Sequence, residues 1–259
     1  MTGRSTYLWA CVTACILAVT AAVAAEPAAP PTAILIENVH IFDGQSAHLS
    51  GPSNVLVVGS VITSISAKPI AAPAGAQVTR IQGGGRTLMP GLIDNHVHIA
   101  LSTTGQADLL SPAVTAEVLQ ARATAEAGDM LMRGFTAVRD LGGPMLTARP
   151  KIDKGELPGP RIYPSGAMIS QTSGHGDSRL PTERSRRFFG EVSKGEQLGA
   201  NFIADGRDEV LTATRENLRA GASQIKVMAG GGAASAYDPL DVSQYTLDEM
   251  KAAVEAADD

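Results

Sequence analysis

Cysteine is nearly missing from this sequence: the 259 residues hold only Cys11 and Cys15. Both lie in the first stretch, "MTGRSTYLWACVTACILAVTAAVAAEPAAPPTA", so the rest of the chain has neither a disulfide nor thiol chemistry. Aromatic residues are scarce at 4%, and the net charge is -5. Too few rings for base stacking and no basic surplus argue against a nucleic-acid partner. Any catalysis therefore falls to histidine, lysine, carboxylates or a metal ion.

What is present begins with a leader. Arg4 precedes an apolar stretch from about Tyr7 to Val23, followed by small residues and the helix-breaking "EPAAPP". That layout is a secretory signal peptide over residues 1–25, with cleavage after Ala24 or Ala25 and a linker over 26–32. A secreted or periplasmic product without stable membrane insertion is expected. A lipoprotein anchor at Cys15 is disfavoured because too little apolar chain precedes it.

Residues 33–87 read as short strands. "AILIENVHIFDG" alternates toward an Asp-Gly turn, "SNVLVVGSVITSIS" gives two apolar runs, and "AQVTRIQGGGRT" closes on glycines. After Pro90 the pattern becomes strand then helix, which builds a parallel sheet. The expected strands are "GLIDNHVHIA", "FTAVRDLGG", "RIYPSGAMIS" and "SQIKVMAGGG". The expected first helix is capped by Ser111 and carries Val114, Val118, Ala121 and Ala125 on its inner face. A polar insertion over 171–204 leads to the helix in "DGRDEVLTATRENLRAG". The last helix opens with a Thr246–Glu249 capping box and turns Leu247, Met250 and Val254 inward.

Two histidines stand out. His96 and His98 are two residues apart in what reads as a buried strand, so both project from one face and can share a metal ion. Lys226 sits in an apolar run, where a charged amine is costly and a lowered pKa follows. His175, in "SGHGD", follows the third strand. Asp94 and Asp140 can orient a ligand or serve structure alone.

"LMPGLIDNHVHI", preceded by "VTRIQGGGRT", resembles the first barrel strand of the amidohydrolase superfamily. "ILIENVHIFDG" and "VLVVGSVITSI" resemble the small β-sandwich of its imidazolonepropionase-like and prolidase-like members, and "GFTAVRDLGG" and "GPRIYPSGAMISQTSGHGD" resemble their next two strands. The resemblance implies an α/β fold: the N-terminal half of a TIM (β/α)8 barrel over residues 88–259, its first four units, preceded by part of a β-sandwich over 33–87. It implies a binuclear site in which His96 and His98 bind metal and a carboxylated Lys226 bridges two zinc ions, with manganese, cobalt or iron as other options. It also implies that His175 contacts the substrate.

On this basis the expected activity is hydrolysis of amide or dipeptide bonds, such as Xaa-Pro or aromatic N-acyl amino acids, by a metal-activated hydroxide. The family's remaining two histidines and an aspartate belong to later strands, so the 259-residue chain alone is expected to be inactive, and the full-length form can be a homo-oligomer. Two alternatives stand beside this reading. One is an imidazolonepropionase-type cyclic-amide hydrolase with a single metal, against which Lys226 argues; the other is a non-catalytic half-barrel interaction module.

Overall fold

The computed structural model describes residues 31–259 apart from 234 and 236. The expected signal peptide and nearly all of the linker lie outside the described residues, as do both cysteines. The chain divides into two compact units, one ending at Met89 and the other spanning Pro90–Asp259.

The first unit is a mixed sheet of β1 (Thr32–Ile41), β2 (Ser53–Val58), β3 (Val61–Ser66), β4 (Gln77–Gln82) and β5 (Thr87–Leu88). The order is β3-β2-β1-β4, and β5 extends the β4 side by pairing with the end of β1. β1 pairs antiparallel with β2 and parallel with β4 and β5. Its alternation buries Ala33 and Leu35 against Leu56, a small apolar core of this unit. His40 donates from Nδ1 to the Ser50 carbonyl at 2.8 Å, and His48 is exposed, so one packs and the other faces solvent.

The second unit begins with β6 (Leu92–Val97), the short helices α1 (Ile99–Ser102) and α2 (Gln106–Leu109), the long α3 (Ala116–Met132) and β7 (Phe135–Asp140). It continues with α4 (Arg149–Asp153), β8 (Arg161–Pro164), β9 (Met168–Ser170), α5 (Arg186–Phe189), α6 (Lys194–Gln197), β10 (Asn201–Ile203), α7 (Arg207–Arg219) and α8 (Leu247–Asp258). β6, β7 and β8 form a parallel sheet in that order, and β9 pairs with β10 in a second one. The sheet is open, as expected for the first half of a barrel, with β6 at one edge. Ile93 is accordingly 67% exposed, and the first strand is not buried as its apolar sequence implied.

Three further expectations need correction. The third strand splits in two, because Asn217 on α7 takes both backbone groups of Ala167: its Oδ1 accepts from the Ala167 N–H and its Nδ2 donates to the Ala167 carbonyl. Gly166, at φ 73, makes the bend. The fourth strand is consequently reduced to one parallel bridge, Ile169 with Val227. Its partner is interrupted, so the segment bonds at the Pro164 carbonyl, skips the bend, and bonds again at Ile169. Meanwhile β10, inside the expected polar insertion, pairs with β9 from Asn201↔Met168 to Ile203↔Ser170; three residues are too few to show a periodicity.

The helices form where expected but bury other faces. α3 is capped by Thr115, whose hydroxyl accepts from the Val118 N–H, while Ser111 serves a turn before it. Its inner face is Leu119, Ala123, Ala127 and Met130, packed over Val138 and Ile162 of the sheet. Ala121, Ala125 and Val118 face solvent. α8 has its capping box but buries Ala252, Ala253 and Ala256, leaving Leu247 and Val254 outside. Alanines permit α8 to approach α7 closely around Val210 and Ala213, and longer side chains would hold the helices apart. Gly134 and Gly221, both at positive φ, end α3 and α7 as read from the sequence. Among the described residues no helix is long and apolar enough to cross a membrane.

Asp140, the last residue of β7, is fully buried. Its Oδ1 accepts from the Ile99 N–H at 3.0 Å, tying β7 to the start of α1, while Oδ2 has no partner. Burial pushes its carboxyl up to about 7, against the pull of the Ile99 hydrogen bond. The folded state thus holds this proton more tightly than the unfolded chain, whose carboxyl titrates near 3.8. Its contribution to stability is complete below that value and is lost as the pH rises through about 7. Asp140→Asn keeps the acceptor for Ile99 without the charge. It should unfold at higher urea than the wild type by up to a few kcal/mol at about pH 8, with a smaller gap at about pH 5.

Candidate functional site

Because β6, β7 and β8 run parallel, their carboxyl ends lie along one edge, with Val97 beside Asp140 and Asp140 beside Pro164. Residues just past those ends are therefore neighbours. His98 follows β6, Gly142 follows β7, and Met168 opens β9 after the bend. A methyl group at Gly142 would lie 2.6 Å from Met168 Cγ and 3.3 Å from His98 Nδ1.

His96 and His98 do come together, though not by regular alternation. The register with β7 shifts between Asp94 and Val97, a bulge of the kind that re-aims side chains at strand ends. Arg139 secures the bulge by donating from Nε to the Asn95 carbonyl at 2.8 Å, and the Asp94 carboxylate accepts from the His96 N–H at 2.9 Å. The two rings end with centroids 5.4 Å apart, tilted by 58°. His96 is exposed and His98 half-buried.

His98 Nδ1 is buried and has no hydrogen-bond partner. Burial lowers the His98 pKa, and the charges of His96 and Lys226 lower it further, so the ring stays neutral with a lone pair available. Lys226 is held beside β9: the Ile169 N–H donates to its carbonyl, and the Met228 N–H to the carbonyl of Ile169, both at 2.9 Å. Its own amine is held below the usual lysine range by burial and then by Arg139. The structure therefore brings His96, His98 and Lys226 into one electrostatic neighbourhood. An orphaned, neutral imidazole nitrogen beside a second imidazole fits a divalent cation. Among the described residues, no group of three or more His, Cys, Asp or Glu side chains gathers as a complete metal cage.

His175 occupies the adjoining loops. Its Nδ1 lies 3.0 Å from Ser235 Oγ and 3.4 Å from Asp238 Oδ2. Its backbone N–H donates to Gln244 Oε1 at 2.9 Å. Gly232 lies against the ring face, where any Cβ would collide with the imidazole. The triple glycine at 230–232, whose Gly230 bridges to Ser243, thus lets the backbone pass close to His175. Neither Asp238 nor Gln244 stands out in the sequence, since each meets His175 across more than sixty residues. Arg184, Arg186 and Arg187 pair with Glu191, Glu196 and Glu209 at the surface, apart from this site. Clefts of about 290 and 380 Å³ near Leu146 and Thr212 contain none of the four candidate residues.

A parallel α/β sheet with its histidines gathered at the carboxyl edge defines a barrel-type scaffold, the edge where such folds carry their sites. Residues 87–259 match the amidohydrolase family, and the chain belongs to that family. It is 37% identical over 175 residues to ochratoxinase of Aspergillus niger, a match covering 66% of this chain and 36% of that protein. A crystal structure of a prolidase complexed with N-methylphosphonate-L-proline superimposes with a TM-score of 0.74 at 34% identity, over 88% of this chain and 54% of that one. A Xaa-Pro dipeptidase with bound methionine gives 0.71 at 29% identity, with the same coverage. The chain thus spans about a third of its curated relatives and about half of these solved structures.

The crowding at Gly142 predicts a measurable cost. Gly142→Ala should destabilise the protein by about 1–3 kcal/mol, because Met168 or His98 must shift to admit a methyl group. Gly105→Ala, which meets nothing within 4 Å, serves as the control and should change stability by less than about 0.5 kcal/mol in urea unfolding.

Proposed function

We propose that the protein is a secreted, metal-dependent hydrolase of amide or dipeptide bonds, with Xaa-Pro dipeptides and aromatic N-acyl amino acids as the substrate classes to try first. The observation that carries this reading is the buried, unpartnered Nδ1 of His98, next to the His96 ring and within the field of Lys226. Family membership and the prolidase, dipeptidase and ochratoxinase relatives supply the bond type.

His96 and His98 would hold the cation, zinc being the first choice and manganese, cobalt or iron the others. Neutral imidazoles coordinate without first losing a proton, and the environment of His98 keeps it neutral. Lys226, its amine lowered by burial, would offer its lone pair to carbon dioxide more readily than an ordinary lysine. Attack would form the Nζ–C bond as one C=O π pair of carbon dioxide moves onto oxygen, the nitrogen would lose a proton to solvent, and the carbamate would add an anionic oxygen ligand for the cation. A bound divalent cation supplies Lewis-acid polarisation of the scissile carbonyl and acidifies water. His175, in the next loop, would contact the substrate. The leader over residues 1–25 would direct export.

Two measurements test this reading. Zinc retained after desalting, read by elemental analysis, should fall at least about tenfold in affinity in His96→Ala and in His98→Ala. In Lys226→Ala the dependence of metal binding on added bicarbonate should vanish. A form that also carries the family's later-strand ligands, zinc-loaded with bicarbonate, should release free amine from Ala-Pro or N-benzoyl-phenylalanine, whereas residues 1–259 alone should not. Unchanged zinc binding in both histidine variants would overturn the site, and no cleavage across a panel of both classes would overturn the activity.

A further inference from the structure

The groups around His175 are arranged to set which of its two nitrogens carries hydrogen. Nδ1 faces Ser235 Oγ at 3.0 Å and Asp238 Oδ2 at 3.4 Å. The one hydrogen of the Ser235 hydroxyl has two acceptors away from the ring, the Gly232 carbonyl at 2.8 Å and the Asp238 carboxylate, so toward the ring the oxygen accepts. An ionised Asp238 has no hydrogen to give. Both neighbours of Nδ1 are therefore acceptors, and Nδ1 must be the donor.

Asp238 is itself fixed. Its side chain is 1% exposed, against 29% for that of His175. Oδ2 accepts from the Gly232 N–H and from Gln244 Nε2, each at 3.0 Å. Gln244, also buried, closes the circuit by accepting from the His175 N–H through Oε1. One amide thus braces the histidine at its backbone and the carboxylate that faces its ring. The Ser235 hydroxyl, outweighing burial and helped by Gln244 and the Gly232 N–H, holds the Asp238 carboxyl below its ordinary range, so it is charged at neutral pH.

We propose that Asp238 is a positioning residue that locks His175 in the Nδ1–H tautomer and presents Nε2 as a bare lone pair. A neutral His175 then accepts a hydrogen bond or a proton from its ligand, an N–H or O–H group. It can donate to a carbonyl or carboxylate oxygen only after taking up a proton, whose charge Asp238 is placed to balance. This is not a Ser-His-Asp triad: serine and aspartate share one ring nitrogen instead of flanking the ring, so Ser235 is not activated as a nucleophile. The consequence for substrate rests on the hydrolase reading above, whereas the tautomer does not.

The test reads the ring nitrogens directly. Two-bond carbon-proton to nitrogen correlation spectra of the ¹⁵N-labelled full chain, at about pH 8 where an ordinary imidazole is neutral, report the tautomer of each histidine. His175→Gln assigns the signal by its loss. The expected wild-type pattern is a protonated Nδ1 and an unprotonated Nε2. In Asp238→Ala most of the population should shift to the Nε2–H form. Asp238→Asn, which keeps an oxygen where the three donors meet, should retain Nδ1–H. A wild-type ring protonated at Nε2 overturns the proposal without any variant, and so does an Ala variant with unchanged signals. Because no turnover is involved, a locked tautomer in a protein that cleaves no amide supports this inference while the hydrolase reading falls.

Discussion

Parallel pairing is the constraint on which the second unit depends. Once Val97 is set beside Asp140 and Asp140 beside Pro164, the chain has no choice about where the following residues gather. His98 and the glycines after β7 arrive at one edge because hydrogen bonds along the ladder put them there, not through attraction between them. The buried Asp140 carboxylate strengthens this arrangement by holding the first residue of α1. Its cost is a carboxyl removed from water, which one hydrogen bond only partly offsets.

Much of this was legible in the sequence because it rests on local chemistry. Gly134 and Gly221 terminate helices through a positive φ, and the Thr246–Glu249 box caps α8, features visible within four residues. The paired histidines were legible for a similar reason, since two residues of spacing bring side chains near each other. That a bulge contributes to their approach was not, because a bulge is a property of the pairing with β7 and not of β6 alone.

What escaped the sequence is long-range. The break between β8 and β9 is caused by Asn217, fifty residues further on, and the irregular Lys226 segment inherits that break. The inner faces of α3 and α8 also differ from the expected ones for a physical reason. Periodicity ranks residues by hydrophobicity, whereas a close helix contact selects by size, so alanines lie inside while Val118, Leu247 and Val254 remain at the surface. Asp238 and Gln244 carry no local signature, because their role exists only after three loops meet.

The position of β1 has a bearing on how the first unit is made. Among the described residues it is the earliest strand, and yet it sits in the interior of its sheet, with β2 on one side and β4 and β5 on the other. A ribosome delivers β1 long before Leu88, its last partner, has been synthesised. Until then one flank of an apolar strand is uncovered, available to a chaperone or to a neighbouring nascent chain. The order of synthesis runs against the order of assembly, and the rate at which residues 59–88 emerge sets how long that exposure lasts.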